Sequence, residues 1–204
     1  AVTAEFVGGK ATRDALFLTS LGPTALPAMF VATGLCSMVL VALHLRAGRR
    51  FGPATLVPAS FAASGVLFVL EWWLRPAAPA ATAVVIYLHV SGAGPLLASG
   101  FWLVASERFD PSTAKTRFGQ IAGAGTLGGL LGALLSERVA AQFGAPSMLL
   151  FLAALQFVAA FWVRGLSRRL KAVAAATPQA AATPAPLASG LRAAGEAPHL
   201  RHLM

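Results

Sequence analysis

The chain has 204 residues, of which 57% are hydrophobic and only 11% charged, and its mean hydropathy is +0.72. A soluble domain carries about 25% charged residues, so this composition excludes an ordinary soluble protein and indicates that lipid is the main solvent. The formal charge of +9 would suit a nucleic-acid binder only with a basic patch beside aromatic platforms. The bases instead lie in short clusters between apolar runs, so we expect no nucleic-acid polymer as a partner.

Cysteine content and the start of the chain bound the chemistry further. Cys36 is the only cysteine and lies inside an apolar run, so neither an intrachain disulfide nor a cysteine-based metal site is expected. We expect no metal or cofactor. The chain starts at Ala1 without the basic, apolar and small-residue order of a signal peptide, and we expect it to be a piece of a longer one.

Apolar runs predict the membrane-crossing elements, because a bilayer core about 30 Å thick needs roughly 20 mostly apolar helical residues. The first predicted helix covers about residues 4–21. Lys10, Arg13 and Asp14 interrupt it, so we interpret it as the last part of a first span. Five further spans are predicted at about 25–45, 53–74, 80–106, 118–137 and 145–164. The predicted fold class is therefore all-α, a polytopic membrane bundle over residues 1–171.

Lysine and arginine at the helix ends predict the orientation, because cytoplasmic loops are enriched in both. Ten lie at one set of ends, and only Arg75 and Arg138 lie at the other. The ten are Arg46, Arg49, Arg50, Arg108, Lys115, Arg117, Arg164, Arg168, Arg169 and Lys171. We expect this set to face the cytoplasm in a multi-pass integral membrane protein.

The end of the chain has a different composition. Residues 172–196 are rich in Ala, Pro and Thr and have few large apolar side chains, which predicts a cytoplasmic linker without a core of its own. Residues 197–204 become apolar and basic again. We interpret them as the start of a seventh helix.

The charges of the first helix form one face, since Lys10 and Asp14 are spaced i,i+4 and Lys10 and Arg13 i,i+3. If Gly22 marks the outer end, they lie roughly 12 to 18 Å below it at 1.5 Å per residue. Charges at that depth are costly and are interpreted as functional, here as an anion-binding face in which Asp14 holds one base. The alternative is a structural ion-pair cluster, or a short helix whose charges lie at its cytoplasmic end.

His89 lies about a third of the way along the predicted fourth span. It is followed by Ser91-Gly92-Ala93-Gly94-Pro95, where glycine and proline loosen the helical hydrogen bonds. Interrupted helices at membrane depth often mark transporter binding sites, so His89 is a candidate substrate-binding residue. A packing kink, with His89 hydrogen-bonded to a neighbouring helix, is the alternative.

Glycines in the predicted fifth span indicate close helix packing rather than phosphate binding. They are Gly123, Gly125, Gly128, Gly129 and Gly132. Small residues spaced four apart let helix backbones approach closely. A phosphate loop would need a lysine and a hydroxyl after the glycines, which Leu130 and Leu131 do not supply.

Charged residues near the cytoplasmic ends are candidates for loop contacts or gating. They are Arg49, Arg50, Glu107, Asp110, Lys115 and Arg117. At the opposite ends, Trp72 and Trp73 are typical of an aromatic belt, and the spacing of Glu71 and Arg75 predicts an i,i+4 ion pair. We interpret these four as a membrane anchor, with a gating role as the alternative.

Six helices followed by a cytoplasmic linker resemble the N-terminal half of a major facilitator transporter, and Arg46-Ala47-Gly48-Arg49-Arg50 resembles the end of that superfamily's loop motif. A closer similarity is to the ATP:ADP antiporter-type nucleotide translocases and their bacterial relatives. Lys10, Arg13 and Asp14 match the basic and acidic motif of that family's first helix. Further similarity lies in Phe101-Trp102, Phe109-Asp110, Ala114-Lys115, Gly123-Ala124-Gly125 and the stretch from Leu191 to Arg201.

The resemblance implies the six-helix N-terminal half of a transporter, with its first helix incomplete, in a bacterial inner (plasma) membrane. It implies exchange of nucleotides (ATP or ADP) or similar phosphorylated anions, with Lys10 and Arg13 as the substrate-charge candidates. The C-terminal half of the same chain would be the partner. In bacteria such domains also occur fused to helical-repeat or cyclic-nucleotide-binding modules.

Two functional hypotheses follow. The leading one is a secondary transporter that works by alternating access, with Lys10, Arg13, Asp14 and His89 at the substrate. The alternative is a membrane-embedded sensor or scaffold that anchors a cytoplasmic regulatory module. An enzyme is not expected, because no nucleophile, base and orienting group occur together at a workable spacing along the sequence.

Overall fold

The computed structural model describes residues 2–106 and 111–176, and over these residues the chain is helical, without a β-strand. The six α-helices are α1 (Val2–Leu21), α2 (Leu26–Phe51), α3 (Pro53–Leu74), α4 (Pro79–Ser106), α5 (Pro111–Phe143) and α6 (Met148–Ala176). Short 3-10 turns, Pro23–Ala25 and Ala145–Ser147, precede α2 and α6.

Five stretches of these helices are long and apolar enough to cross a membrane. They are Pro23–Phe51, Pro53–Leu74, Pro79–Val104, Arg117–Phe143 and Ala145–Gly165. Over the described residues, the predictions of an all-α fold and of helices long and apolar enough to cross a membrane are therefore confirmed. Helix α1 is not among the five, and it carries Glu5, Lys10, Arg13 and Asp14 within its 20 residues.

Glycine and proline shape the turn between α2 and α3. Gly52 has a φ of 69°, in the left-handed region that side-chain-bearing residues rarely adopt, and its N–H donates to the carbonyl of Gly48. Pro53 then starts α3, because its φ suits a first helical turn and its missing N–H would have no partner there. One glycine thus ends a helix while the next residue starts another.

Three helices run further than the apolar runs indicate. Helix α2 continues through the predicted turn at Arg46–Arg50 to Phe51, α5 starts at Pro111 and ends at Phe143, and α6 continues to Ala176, inside the predicted linker. A span prediction stops where charges start, whereas Arg, Lys and Ala are good helix formers. The helices therefore continue past the apolar limit, and residues 177–204 lie outside those described.

The first compact unit of the chain ends at Arg168, and it contains the buried core of the helical bundle. Helix α1 packs against α4 and α5, and α4 also packs against α2 and α3. The main core combines α1, α3, α4 and α6. Its buried members are Leu16, Phe68, Ile86, Val90, Met148, Leu149, Leu152 and Ala153.

Helix α1 approaches α5 closely through small residues. A Cβ added at Gly132 would lie 2.6 Å from the Cα and the carbonyl oxygen of Ala4, and Gly125 and Gly129 face Thr3 in the same way, at 3.2 and 3.4 Å. Gly123 and Gly128 have no such neighbour within 4 Å. Only part of the glycine series is therefore placed at this contact.

Helices α2 and α5 leave most of their apolar surface uncovered. Only 6% of the most apolar stretch of each is buried, against 44% for α4. Exposed side chains include Phe30, Leu35, Met38, Leu127, Leu130 and Leu134. Lipid or a further helical unit must cover these faces, because apolar patches of this kind are unfavourable in water.

Candidate functional site

Arg13 is held at the contact between α1 and α4. Its Nε and Nη2 atoms lie 2.8 and 2.7 Å from Oδ1 of Asp14, and Nη1 donates to Oγ of Ser91 at 2.6 Å. The guanidinium also lies over the Tyr87 ring, 4.4 Å from its centroid, within the range of a cation–π contact. The Arg13 side chain is only 14% exposed, so its position is defined by both helices.

These contacts leave part of the guanidinium available. An arginine has five N–H donors, and Arg13 uses one at Nε, one at Nη2 and one at Nη1. Two donors, one on each terminal nitrogen, therefore have no hydrogen-bond partner among the described residues. Such a pair suits two oxygens of one phosphate or carboxylate.

Lys10 lies one turn before Arg13 on an exposed part of α1. Its Nζ is 4.4 Å from the centroid of the Phe6 ring. Among the described residues, no acidic side chain forms an ion pair with Lys10. Lys10, Arg13 and Asp14 together carry one net positive charge, and Asp14 is itself 46% exposed, so the surface that they form is accessible.

A second polar cluster lies in the interior, between α3 and α4. Nδ1 of His89 is 2.9 Å from Oε1 of Glu71, and Nε2 is 2.8 Å from Oγ of Ser64. The ring packs against Phe68, with centroids 4.4 Å apart. The side chains of His89 and Glu71 are 4% and 2% exposed, so these groups satisfy one another away from solvent.

Helix geometry explains why these three meet. Ser64 and Glu71 are seven residues apart, two turns along one face of α3. Helices α3 and α4 are consecutive and packed together, which brings His89 level with Ser64. Side chains tilt toward the N-terminus of their own helix, so in an antiparallel pair Glu71 and His89 lean toward each other.

Further polar groups surround this cluster. Glu5 of α1 is buried and interacts electrostatically with His89. Gln156 of α6 is buried and interacts with the side chain of Glu5. Oε2 of Glu71 has no hydrogen-bond partner among the described residues. The interior therefore holds more hydrogen-bonding capacity than its contacts use, which is uncommon in a folded protein.

A cavity of about 330 Å³ lies beside Ser64 and His89. Its lining comes from α2, α3 and α4 and is mainly apolar, with His44, Ser60, Ser64 and His89 as the polar exceptions. It extends to Ala47 and Leu56, toward the end of α2 that carries Arg49 and Arg50. We call that end of the bundle the basic end.

The structure separates His89 from the other predicted substrate residues. Arg13 contacts α4 at Tyr87 and Ser91, whereas His89 points to α3. Residues two apart in a helix lie about 200° from each other around its axis. Lys10, Arg13 and Asp14 thus form one cluster, and His89 belongs to the interior one.

Two further interpretations require adjustment. Helix α4 continues through Gly92 and Pro95 rather than being interrupted there, and the side chain of Glu71 turns inward to His89 instead of pairing with Arg75. Only the backbone of Arg75 contacts Glu71, through an N–H donated to its carbonyl at 3.1 Å.

The gating candidates are dispersed. Arg49 and Arg50 are exposed in the last turn of α2, and Arg117 donates to Gln120 within α5. Lys115 lies near the start of α5. Glu107 and Asp110 lie outside the described residues.

The Ser64–His89–Glu71 arrangement was missed from the sequence. It has the hydroxyl, imidazole and carboxylate of a hydrolase triad, yet Ser64 lies inside a continuous helix. The neighbouring backbone N–H groups are then used within the helix, so they cannot form the oxyanion hole of a hydrolase at Ser64. The available signal in the sequence was the i,i+7 spacing of Ser64 and Glu71 in one predicted span, followed after a short connection by a span that contains His89.

The chain matches no protein-family model, no curated protein and no solved structure. Any functional assignment therefore depends on the geometry of these two clusters. Within the described residues, no group of three or more His, Cys, Asp or Glu side chains could hold a metal ion.

Proposed function

We propose that the chain forms half of a multi-pass secondary transporter that exchanges nucleotides or similar phosphorylated anions by alternating access. The observation that carries this proposal is Arg13, whose half-buried guanidinium is fixed by Asp14 and Ser91 and keeps two donors without a partner among the described residues. A base that only paired with Asp14 would not need a second helix to orient it.

The charge balance supports an anionic substrate. Lys10 and Arg13 outnumber Asp14, and Lys10 is exposed one turn away, so a phosphate bound to Arg13 would also lie near the ammonium group. A planar guanidinium and a flexible ammonium group together suit adjacent phosphates of one molecule. The membrane interior strengthens such contacts, because little water competes with them.

A second bundle would complete the site. Helix α1 exposes Lys10, and α2 and α5 expose apolar faces, as expected where another six-helix half packs around a central cavity. In this proposal the basic end faces the cytoplasm of a bacterial cell, and the bundle rocks against the C-terminal half to alternate access.

Exchange in liposomes tests the proposal directly. The full-length protein is reconstituted with internal ADP, and uptake of external labelled ATP is measured for the wild type, Arg13→Ala and Lys10→Ala. We expect uptake to fall at least tenfold in Arg13→Ala and less in Lys10→Ala, because Lys10 has fewer fixed contacts. Arg164→Ala is the matched control, since Arg164 is an exposed base of α6, near the end of the apolar stretch Ala145–Gly165.

Competition identifies the substrate class. Excess unlabelled ADP or inorganic phosphate should reduce ATP uptake, whereas adenosine, which has the base and ribose but no phosphate, should not. Equal uptake by wild type and both variants would exclude the Arg13 surface as the binding site. Correct insertion with no anion uptake at all would instead favour a sensor or scaffold.

A further inference from the structure

The interior cluster has a continuous path of hydrogen-bonding atoms. Ser64 Oγ, His89 Nε2, His89 Nδ1 and Glu71 Oε1 follow one another, with 2.8 and 2.9 Å across the two hydrogen bonds. Imidazole carries a proton at either nitrogen, so it can receive one at Nε2 and release another at Nδ1. This order of groups is suited to proton transfer.

The two ends of the path differ. Ser64 and His89 line the 330 Å³ cavity that extends toward the basic end. Glu71 is enclosed, and its Oε2 has no hydrogen-bond donor. The path therefore starts at a space large enough for water and ends at a carboxylate that has room for one more hydrogen.

We propose that Ser64, His89 and Glu71 form a proton-binding relay that couples proton movement to anion transport. This inference rests on the proposed function, and it adds the coupling ion. Ionisable groups are rare at membrane depth, where a charge is costly, and proton relays are among the functions for which they are retained.

The transfer balances without any other reactant. At rest, neutral His89 donates its Nδ1 hydrogen to the Glu71 carboxylate and accepts the Ser64 hydroxyl hydrogen at Nε2. A proton from cavity water bonds to Ser64 Oγ as the hydroxyl hydrogen moves to Nε2, and the Nδ1 hydrogen then moves to Glu71. The result is a neutral carboxylic acid and a neutral imidazole, and the same steps in reverse release the proton once the cavity opens to the other side.

Other titratable groups face the relay from the neighbouring helices. Glu5 approaches from α1 and interacts with His89, and His44 of α2 lines the same cavity. Helix α6 contributes the uncharged Gln156, and Arg13 lies on the other side of α4. Glu5 and His44 are therefore the titratable groups that would interact electrostatically with a proton bound at Glu71.

Helix α4 links the relay to the anion site. His89 binds α3 on one face, and Ser91 binds Arg13 on the other. A change in charge at His89 or Glu71 alters the α3–α4 contact, and α4 then shifts relative to α1. Both ligands thus act on the same helix, as coupling between two sites requires.

Proton coupling is measured with the full-length protein in liposomes that contain a pH-sensitive dye. For the wild type, we expect net ATP uptake into ADP-free liposomes to be driven by an imposed pH gradient and accompanied by proton entry. In Glu71→Gln, both should fall at least tenfold, while ATP/ADP exchange at equal pH stays within about threefold of the wild type. Glu137→Gln is the matched control, because Glu137 is an exposed carboxylate on α5.

Ser64→Ala is a second test in case Glu71→Gln fails to fold. It keeps the buried His89–Glu71 pair and removes only the hydroxyl at the cavity end of the relay. It should slow proton entry and leave exchange intact. ATP uptake without proton entry in the wild type, or full coupling in Glu71→Gln, would overturn the relay and leave the exchanger in place. Loss of exchange in the wild type itself would refute the transport proposal and, with it, the relay.

Discussion

Nδ1 of His89 lies 2.9 Å from Oε1 of Glu71, and this contact joins α4 to α3 inside the bundle. Both side chains are almost fully buried. Removing either group would leave the other buried without this partner, so the contact has consequences for stability as well as for function.

Replacing either partner should destabilise the protein strongly. We expect Glu71→Ala and His89→Ala each to cost about 3–5 kcal/mol, because each leaves one buried polar group unpaired. The double variant should cost less than the sum of the two, since the second change removes the group that the first exposed. Unfolding in detergent, followed by denaturant titration, measures all three, and strict additivity would contradict a coupled pair.

Replacement by alanine should lower the stability of the protein at one glycine of α5, Gly132, and raise it at another, Gly123. Gly132→Ala places a Cβ 2.6 Å from the backbone of Ala4 and should cost about 1–3 kcal/mol through overpacking. Gly123→Ala meets open space and should stabilise its helix by about 0.5–1 kcal/mol, because alanine loses less backbone freedom on folding. Melting temperatures compare the two, and equal effects would argue against the close α1–α5 approach.

Ser91 should matter for substrate affinity rather than for insertion. Ser91→Ala removes the acceptor that orients Nη1 of Arg13, a charge-assisted hydrogen bond. We expect the KM for ATP exchange to rise about tenfold, which corresponds to about 1.4 kcal/mol. Ser99→Ala, an exposed position on the same helix, is the control, and an unchanged KM in Ser91→Ala would show that Arg13 needs no support from α4.

Ser64 should not react as a nucleophile. We expect a fluorophosphonate probe to leave Ser64 unlabelled in the purified protein, because the backbone N–H groups beside it are used within α3 and cannot form an oxyanion hole. Mass spectrometry of the α3 peptide measures the adduct, with Ser64→Ala as the blank. A stoichiometric adduct in the wild type alone would reassign the Ser64–His89–Glu71 cluster to hydrolysis.

The fold class could be predicted because apolar runs of about 20 residues have few stable alternatives in lipid. The helix ends could not be predicted in the same way. Arg49 and Arg50 limit how far α2 can enter lipid, but they do not prevent its backbone from continuing the helical hydrogen bonds. The structure accordingly extends α2 to Phe51.

The two clusters differ in how far the sequence indicated them. Lys10, Arg13 and Asp14 lie on one helix, so their spacing was enough to group them. Spacing alone predicts Arg75, at i+4, as the partner of Glu71. The structure instead pairs Glu71 with His89 of α4. The rotation of α3, which points Glu71 inward to His89, depends on packing against α4 that no single segment encodes.

Pro95 lies one helical turn beyond Ser91 in α4. Proline has no N–H, so the backbone carbonyl of Ser91 loses the donor that an uninterrupted helix would supply. The loss of this hydrogen bond weakens α4 just past the residue that orients Arg13, whereas His89 lies before that point. A bend at Pro95 would move the segment from Leu96 to Ser106 relative to the first part of α4 and leave the His89–Glu71 contact in place.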